Sequence, residues 1–222
     1  ELVATGFFDA GRGTLAMAAG SGASIANDGT KSVTITGALD QINAALNGMT
    51  YLGNLNFNGS DTLTISTNDQ GNTGTGGALS DTDTVAITVN PVNDAPVNTV
   101  PDAQTTDEDT PLVFSTANGN QISVSDVDSN VLSTTIRFAN GTLTIFVVGS
   151  TQTFSAVTLV GTASQINSVL DGLIYTPNPD FNGTDTLTIT TNDGEFIDTD
   201  TVEITVNPIN DTPWVDNLDL DE

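Results

Sequence analysis

The sequence predicts an all-β protein built of two tandem β-sandwich repeats, each carrying one short helix. Three observations predict it. Long stretches recur at a fixed offset, most residues alternate apolar and polar with period two between turn signals, and one segment in each copy breaks that period for a helical one.

The repeat sets the organisation. Gln41-Ile42-Asn43 matches Gln165-Ile166-Asn167, Tyr51 matches Tyr175, Phe57-Asn58-Gly59 matches Phe181-Asn182-Gly183, and Asp61-Thr62-Leu63-Thr64-Ile65 matches Asp185-Thr186-Leu187-Thr188-Ile189, all 124 positions apart. After Asp69 and Asp193 the first copy carries a Gly-rich insertion, Gln70 to Leu79, and the offset falls to 117 at Asp81-Thr82-Asp83 and Asp198-Thr199-Asp200. Insertions of this kind belong in hairpin loops. A chain of 222 residues can bury two cores in units of about 100 residues each. The boundaries read as 1–92 for the first repeat, 93–100 for a linker, 101–209 for the second repeat, and 210–222 for the start of a further repeat or a tail.

Strands come first. Leu143, Ile145 and Val147, then Leu187 and Ile189, then Val202, Ile204 and Val206 alternate with Thr or Glu, the pattern of strands with one buried face. Asn140-Gly141, Asn182-Gly183 and Asp193-Gly194 supply turns between them. Several short strands per 100 residues make a β-sandwich. The helix follows from Thr162 to Gly172: Thr162 and Gln165 have capping-box spacing, Ala163, Ile166 and Leu170 form one stripe, and Gly172 can end it. Ala38 replaces the capping Thr in the first copy, so that helix should start less well. Residues Pro101 to about Val131 have no counterpart before Leu2, so the first copy should lack two opening strands, expose a sheet edge and be the less stable unit. Trp214 to Glu222 reads as the opening of a third copy, and the chain as a piece of something longer.

Charge narrows the partners. Twenty-eight carboxylates face only Arg12, Lys31 and Arg137, a net charge of −25, so surfaces that neutralise phosphates or anionic membranes cannot be assembled. Such charge repels itself, and a divalent cation is one way to relieve it; the bland reading is solubility alone. There is no Cys and no His, so neither a Ser-His-Asp nor a Cys-His site exists. Missing disulfides neither prove nor exclude secretion. No stretch approaches the roughly 20 apolar residues of a membrane span, and no basic start precedes an apolar run. Aromatics are sparse, and Tyr51, Tyr175 and Trp214 are scattered, which argues against a sugar platform flanked by paired carboxylates. There is no P-loop and no calcium-roll nonapeptide array. Outward Thr on the strands is the ordinary filling of an exposed face rather than a ligand-binding one.

Each copy closes on one acidic tag, Asn90-Pro91-Val92-Asn93-Asp94-Ala95-Pro96 and Asn207-Pro208-Ile209-Asn210-Asp211-Thr212-Pro213. Around the junction stand Asn93, Asp94, the Asp126-Val127-Asp128 pair and Asp193. These are oxygen donors only, which selects a hard cation such as calcium. In an extended segment the Asp126 and Asp128 side chains should leave on one side and converge. The competing reading is turn chemistry, since Asn and Asp beside Gly or Pro cap turns with their own side chains. Asp61 and Asp185, standing before strands in both copies, read as turn caps rather than ligands.

These motifs together resemble a cadherin-type repeat, and more specifically the cadherin-like tandem repeats of large bacterial surface proteins and adhesins. The resemblance covers nearly the whole chain and rests on Glu108 in Asp107-Glu108-Asp109-Thr110-Pro111, the Asp126/Asp128 pair, Asp180, Asp193 before Gly194, and the linker Asn210-Asp211-Thr212-Pro213. It implies an Ig-like sandwich, with Ca2+ held at the junction by Asn93, Asp94, Asp126, Asp128 and Asp193, while Glu108, Asp180, Asn210 and Asp211 face the next repeat. The chain departs from the family pattern where Asn90 and Asn207 stand for the linker's first Asp, where Asn56 stands opposite Asp180, and in the missing early Glu of the first copy. Fewer charged ligands imply fewer ions or weaker binding.

The implied function is a calcium-stabilised structural and adhesive module of a secreted bacterial cell-surface protein, not an enzyme. Its partners would be neighbouring repeats, with a surface glycan or protein as a further one and nucleic acid excluded. The alternative is a lectin-like or protein-binding sandwich that uses the insertion Gln70 to Leu79 or a sheet face.

Overall fold

The computed structural model describes residues 3–71, 75–147 and 149–210. The chain forms two compact units, Glu1–Val92 and Asn93–Glu222.

The first unit runs β1 (Val3–Ala10), β2 (Gly13–Ala16), β3 (Ser24–Ala26), β4 (Ser32–Ala38), α1 (Leu39–Leu46), β5 (Thr50–Gly53), β6 (Gly59–Asn68) and β7 (Ser80–Val89). One sheet has the order β3-β4-β1-β6-β7, and β2 pairs with β5 in a separate ribbon. Phe8, Leu15, Val33, Ile35 and Leu63 meet Ile42 and Ala45 of α1 to form the core.

The second unit adds β8 (Val97–Thr99), β9 (Gln104–Asp107), β10 (Leu112–Phe114) and β11 (Ser123–Ser125). It continues with β12 (Leu132–Arg137), β13 (Gly141–Val147), β14 (Ser150–Phe154), β15 (Ala156–Gly161), α2 (Ala163–Leu170), β16 (Leu173–Pro177), β17 (Gly183–Asn192) and β18 (Ile197–Asn207). Its sheets have the orders β15-β12-β17-β18-β9 and β10-β16-β13-β14, with β8 paired to β11. The inward residues of both sheets form one core: Leu132, Ile136, Leu187 and Ile204 from the first, Phe114, Leu143, Ile145, Leu173 and Tyr175 from the second. That is a β-sandwich. The outward threonines pair across strands, Thr135 with Thr158 and Thr144 with Thr153, both at 2.8 Å.

The helices start as their sequences dictate. Thr162 Oγ1 accepts the Gln165 N–H, and Gln165 Oε1 accepts the Thr162 N–H at 3.0 Å. At α1 only the second half survives, Gln41 Oε1 accepting from Ala38 N–H, because alanine has no oxygen to offer.

Three expectations change. Three short strands rather than two, β9 to β11, lie between Pro101 and Val131, because strands of three or four residues carry too little alternation to be counted from sequence. Residues 97–99, read as linker, form β8 and pair Val97 with Ser125. Gly141 serves a close approach rather than a turn: a Cβ there would lie 2.3 Å from the Tyr175 ring. Gly183 and Gly194, at φ of +127° and +108°, do sit in the left-handed region. The segment Trp214 to Glu222 lies outside the described residues.

Among the described residues, the edges of the two main sheets differ. β9 pairs in parallel with β18, Ile204 opposite Gln104 and Val206 opposite Thr106; β7 ends its sheet. Val202, Ile204 and Val206 are buried, whereas the corresponding Val85 is 47% exposed and Ile87 and Val89 are half-buried.

Candidate functional site

Hydrogen bonds draw the five junction residues into one patch of the second unit. Asn93 Nδ2 donates to Asp193 Oδ2 at 2.8 Å, and the Asp94 N–H donates to Asp128 Oδ2 at 3.1 Å. The Asp126-Val127-Asp128 segment is bent rather than extended. The reason is local: Asp126 Oδ1 accepts the N–H groups of Asp128 (3.0 Å) and Ser129 (2.8 Å), which curls the chain around the carboxylate. Its other oxygen, Oδ2, is buried with no hydrogen-bond partner among the described residues.

Asp193 closes the β17–β18 hairpin. Its Oδ1 accepts from Glu195 N–H (2.7 Å) and Phe196 N–H (2.6 Å). Those amides, Phe196 first, hold its carboxyl below the usual range; partial burial opposes them and Asn93 reinforces them. The carboxylate is therefore ionised under all ordinary conditions.

The residues expected to serve a following repeat, Glu108, Asp180, Asn210 and Asp211, separate differently. Glu108 is buried; Oε1 accepts the Ile209 N–H at 2.5 Å and Oε2 the Asn182 amide at 3.2 Å. It thereby ties the segment that enters Asn210 to the body of the unit. Asn210 is exposed, and Asp211 lies outside the described residues. Asp180 is exposed at φ +56°, and its counterpart Asn56 sits at φ +59°. A left-handed turn position accounts for the Asp and Asn there by backbone preference alone.

Residues that fit a hard cation are thus present as chemistry: carboxylate and amide oxygens, and one buried acceptor, Asp126 Oδ2, left unpaired. Among the described residues, however, no three acidic side chains converge closely enough to form a metal cage.

Sequence reasoning passed over a second constellation. Asp185 lies inside β17 rather than before it and accepts four hydrogen bonds, from Ala139 N–H, Asn140 N–H, the Tyr175 hydroxyl and Thr186 N–H. Asp61 does the same in β6 with Arg12 N–H, the Tyr51 hydroxyl and Thr62 N–H. The signal was available: Tyr and Asp recur ten residues apart in both copies. Burial first, then the carboxylate, raises the hydroxyl pKa of Tyr51 and of Tyr175. Burial works to raise Asp61, but the hydrogen bonds from Arg12, Thr62, Tyr51 and Gly11 outweigh it and hold it low.

A pH dependence follows. With a folded pKa below the unfolded one, Asp61 contributes stability that is present above about pH 4 and is lost as pH falls through the folded value. Acid titration of unfolding should show a steep acid limb for the first unit, shallower in Asp61→Asn, which is also weaker at neutral pH. Equal acid slopes would exclude this source.

Two facing sheets around a single core, with a short helix between strands and the loops held by Asx turns, define an Ig-like β-sandwich repeat. The chain belongs to the bacterial Ig domain family, whose model matches residues 93–207, just over half of the sequence. Residues 14–75 match a different model, the protein GAMETE EXPRESSED 2 domain. No curated protein sequence matches significantly. Among solved structures the chain is similar to mouse cadherin-23 repeats EC22-24, with 15% identity and a TM-score of 0.38 over 89% of this chain and 53% of that one. It is also similar to an endo-fucoidan hydrolase of glycoside hydrolase family 107, with 15% identity and a TM-score of 0.31 over 89% and 24%. A third match is the C-terminal domain of the Streptococcus agalactiae AgI/II polypeptide BspA, with 8% identity and a TM-score of 0.26 over 92% and 85%. The chain spans about a quarter of the hydrolase and about half of the cadherin fragment. Among the described residues no helix is long and apolar enough to cross a membrane.

Proposed function

We propose that this chain is a structural and adhesive repeat module of a bacterial cell-surface protein, without catalytic activity, in which Ca2+ stiffens the segment that joins one repeat to the next. The observation that carries the reading is the patch in which Asn93 and Asp94 are bonded to Asp193 and Asp128 while Asp126 Oδ2 stays buried and unpaired. Membership of the bacterial Ig domain family and the acidic, His-free and Cys-free composition support it.

Ca2+ supplies charge neutralisation and takes six to eight oxygens, so Asp126 would act with Asn93, Asp94, Asp128 and Asp193, filled out by backbone and water oxygens. In this chain the residues Asn93 and Asp94 are what the ion would hold: pinning them to the hairpin carboxylate Asp193 removes the freedom of the joint. Glu108 performs the equivalent tethering of Ile209 by hydrogen bonds, and an ion among Glu108, Asp180, Asn210 and Asp211 would serve a following repeat.

Thermal unfolding with calcium and with chelator tests this. At a hundredfold excess over Kd the gain is about 2.7 kcal/mol, a rise on the order of 10 °C for a unit of this size. Asp126→Ala/Asp128→Ala should remove most of the gain while retaining a folded second unit. A midpoint indifferent to calcium overturns the reading and leaves these residues as turn caps.

A further inference from the structure

Asn-Gly pairs are where a chain modifies itself most readily, because glycine leaves the next main-chain nitrogen unshielded and free to turn toward the asparagine side chain. The sequence holds five, at Asn47, Asn58, Asn118, Asn140 and Asn182. The fold restrains two of them. Asn118 Nδ2 donates to the Val113 carbonyl at 3.0 Å, and the Gly119 N–H is spent on the Thr116 carbonyl at 3.2 Å. Gly141 is wedged against the Tyr175 ring, so the strand at Asn140 has no room to turn. Asn47, Asn58 and Asn182 are exposed, and no atom crowds the Cβ position of Gly59 or Gly183.

What sets Asn182 apart is the partner of its amide. Asn182 Nδ2 donates to Glu108 Oε2 at 3.2 Å, and Glu108 Oε1 accepts the Ile209 N–H at 2.5 Å. Glu108 is only 3% exposed. One exposed amide thus helps to hold a buried carboxylate, which in turn holds the segment that leaves β18. Among the described residues no carboxylate is bonded in this way to Asn58, which occupies the same place in the first copy.

We propose that Asn182 is a self-modification site whose conversion to aspartate or isoaspartate releases the segment 207–210 from Glu108. The Gly183 amide nitrogen attacks Asn182 Cγ and a new N–C bond closes a succinimide, while the C–N bond of the side-chain amide breaks and ammonia leaves with the displaced proton. Water then opens the ring at one of its two carbonyls. The reaction consumes water alone. Its product replaces an amide donor with a second carboxylate facing the first, so Glu108 Oε2 loses its partner and meets like charge. Isoaspartate also lengthens the main chain by a methylene at the entry to β17, where Gly183 pairs with Val206. The inference stands on the Glu108 contact and is independent of calcium.

The test has two arms, both on the intact chain. Incubation in mildly alkaline buffer followed by peptide mass mapping should show conversion at Asn182 and Asn58 well ahead of Asn118 and Asn140. Retention of Asn182 while Asn58 converts overturns the site. Amide exchange at Ile209, followed by NMR, should be about tenfold or more faster in Asn182→Asp, which removes one hydrogen bond to a charged group, and unchanged in Asn58→Asp. Adding Glu108→Gln to Asn182→Asp exchanges the two roles, since a glutamine Nε2 donates to the new carboxylate while its Oε1 accepts the Ile209 N–H; protection should return. Unchanged exchange in Asn182→Asp, or a double variant no better protected than the single one, overturns the release.

Discussion

Replacing Asp185 with Ala should lower the stability of the second unit by about 3–5 kcal/mol, the range for breaking a buried polar network. Asp185 is 1% exposed. It bonds to Ala139 N–H at 3.1 Å, Asn140 N–H at 3.0 Å, the Tyr175 hydroxyl at 2.8 Å and Thr186 N–H at 2.7 Å. One carboxylate thus joins β17 of one sheet, β16 of the other and the chain that crosses from β12 to β13. Alanine leaves those donors facing protein rather than water, and the loss of each is only partly relieved by relaxation. Tyr175→Phe removes one donor and leaves the carboxylate with three, so it should cost about 1 kcal/mol. The double variant should cost less than the sum, because once the acceptor is gone the hydroxyl is itself a burden. Denaturant titration that resolves two transitions would read this, since a chain of two units need not unfold in one step. A loss below about 1 kcal/mol for Asp185→Ala would mean that water replaces the carboxylate and that the network does not hold the sheets together.

Gly141→Ala should cost about 2–4 kcal/mol, at or above the usual cost of overpacking a core. Its Cβ would lie 2.3 Å from Tyr175 Cε2 and 2.7 Å from the Thr176 carbonyl oxygen. Neither neighbour can yield: the Tyr175 ring is held by Asp185 at one end and lies 4.5 Å from the Phe138 ring, and the strand backbone is fixed by the pairing of Gly141 with Pro177. Gly13 repeats the arrangement in the first unit, 2.4 Å from the Tyr51 ring and 2.6 Å from the Leu52 carbonyl. Gly194→Ala is the comparison: no atom lies near its Cβ, and only the φ of +108° resists. Calorimetry should place Gly141→Ala well below Gly194→Ala in unfolding temperature. Equal shifts would show that Tyr175 moves aside.

The second unit should be the more stable of the two, because its core is larger. Among the described residues, seventeen buried ones cluster in the second unit and nine in the first. Val85, Ile87 and Val89 continue the apolar alternation of β7 and are exposed or half-buried among the described residues.

The candidate site was partly legible. Its members could be found because Asn93 and Asp94 stand in a repeating tag and Asp193 precedes Gly194, and hydrogen bonds do link them to Asp126 and Asp128. What the residues could not tell was where each oxygen is spent. Asp126 was read as one of two parallel side chains, but a carboxylate beside two free N–H groups folds back on them before it reaches for anything distant.

By itself the sequence determined that this protein is a duplicated all-β module with one capped helix per copy. A period of two, a helical stripe and a left-handed turn are local properties, set by sterics and by the nearest few side chains. Only the tertiary structure decided that β14 pairs with β13 while β3 pairs with β4, and that Asp185 and Tyr175 join the two sheets. Alternation shows which residues lie on one face but not which strands become neighbours, because that choice rests on contacts between residues far apart in the chain, weighed against the entropy of closing the loops between them.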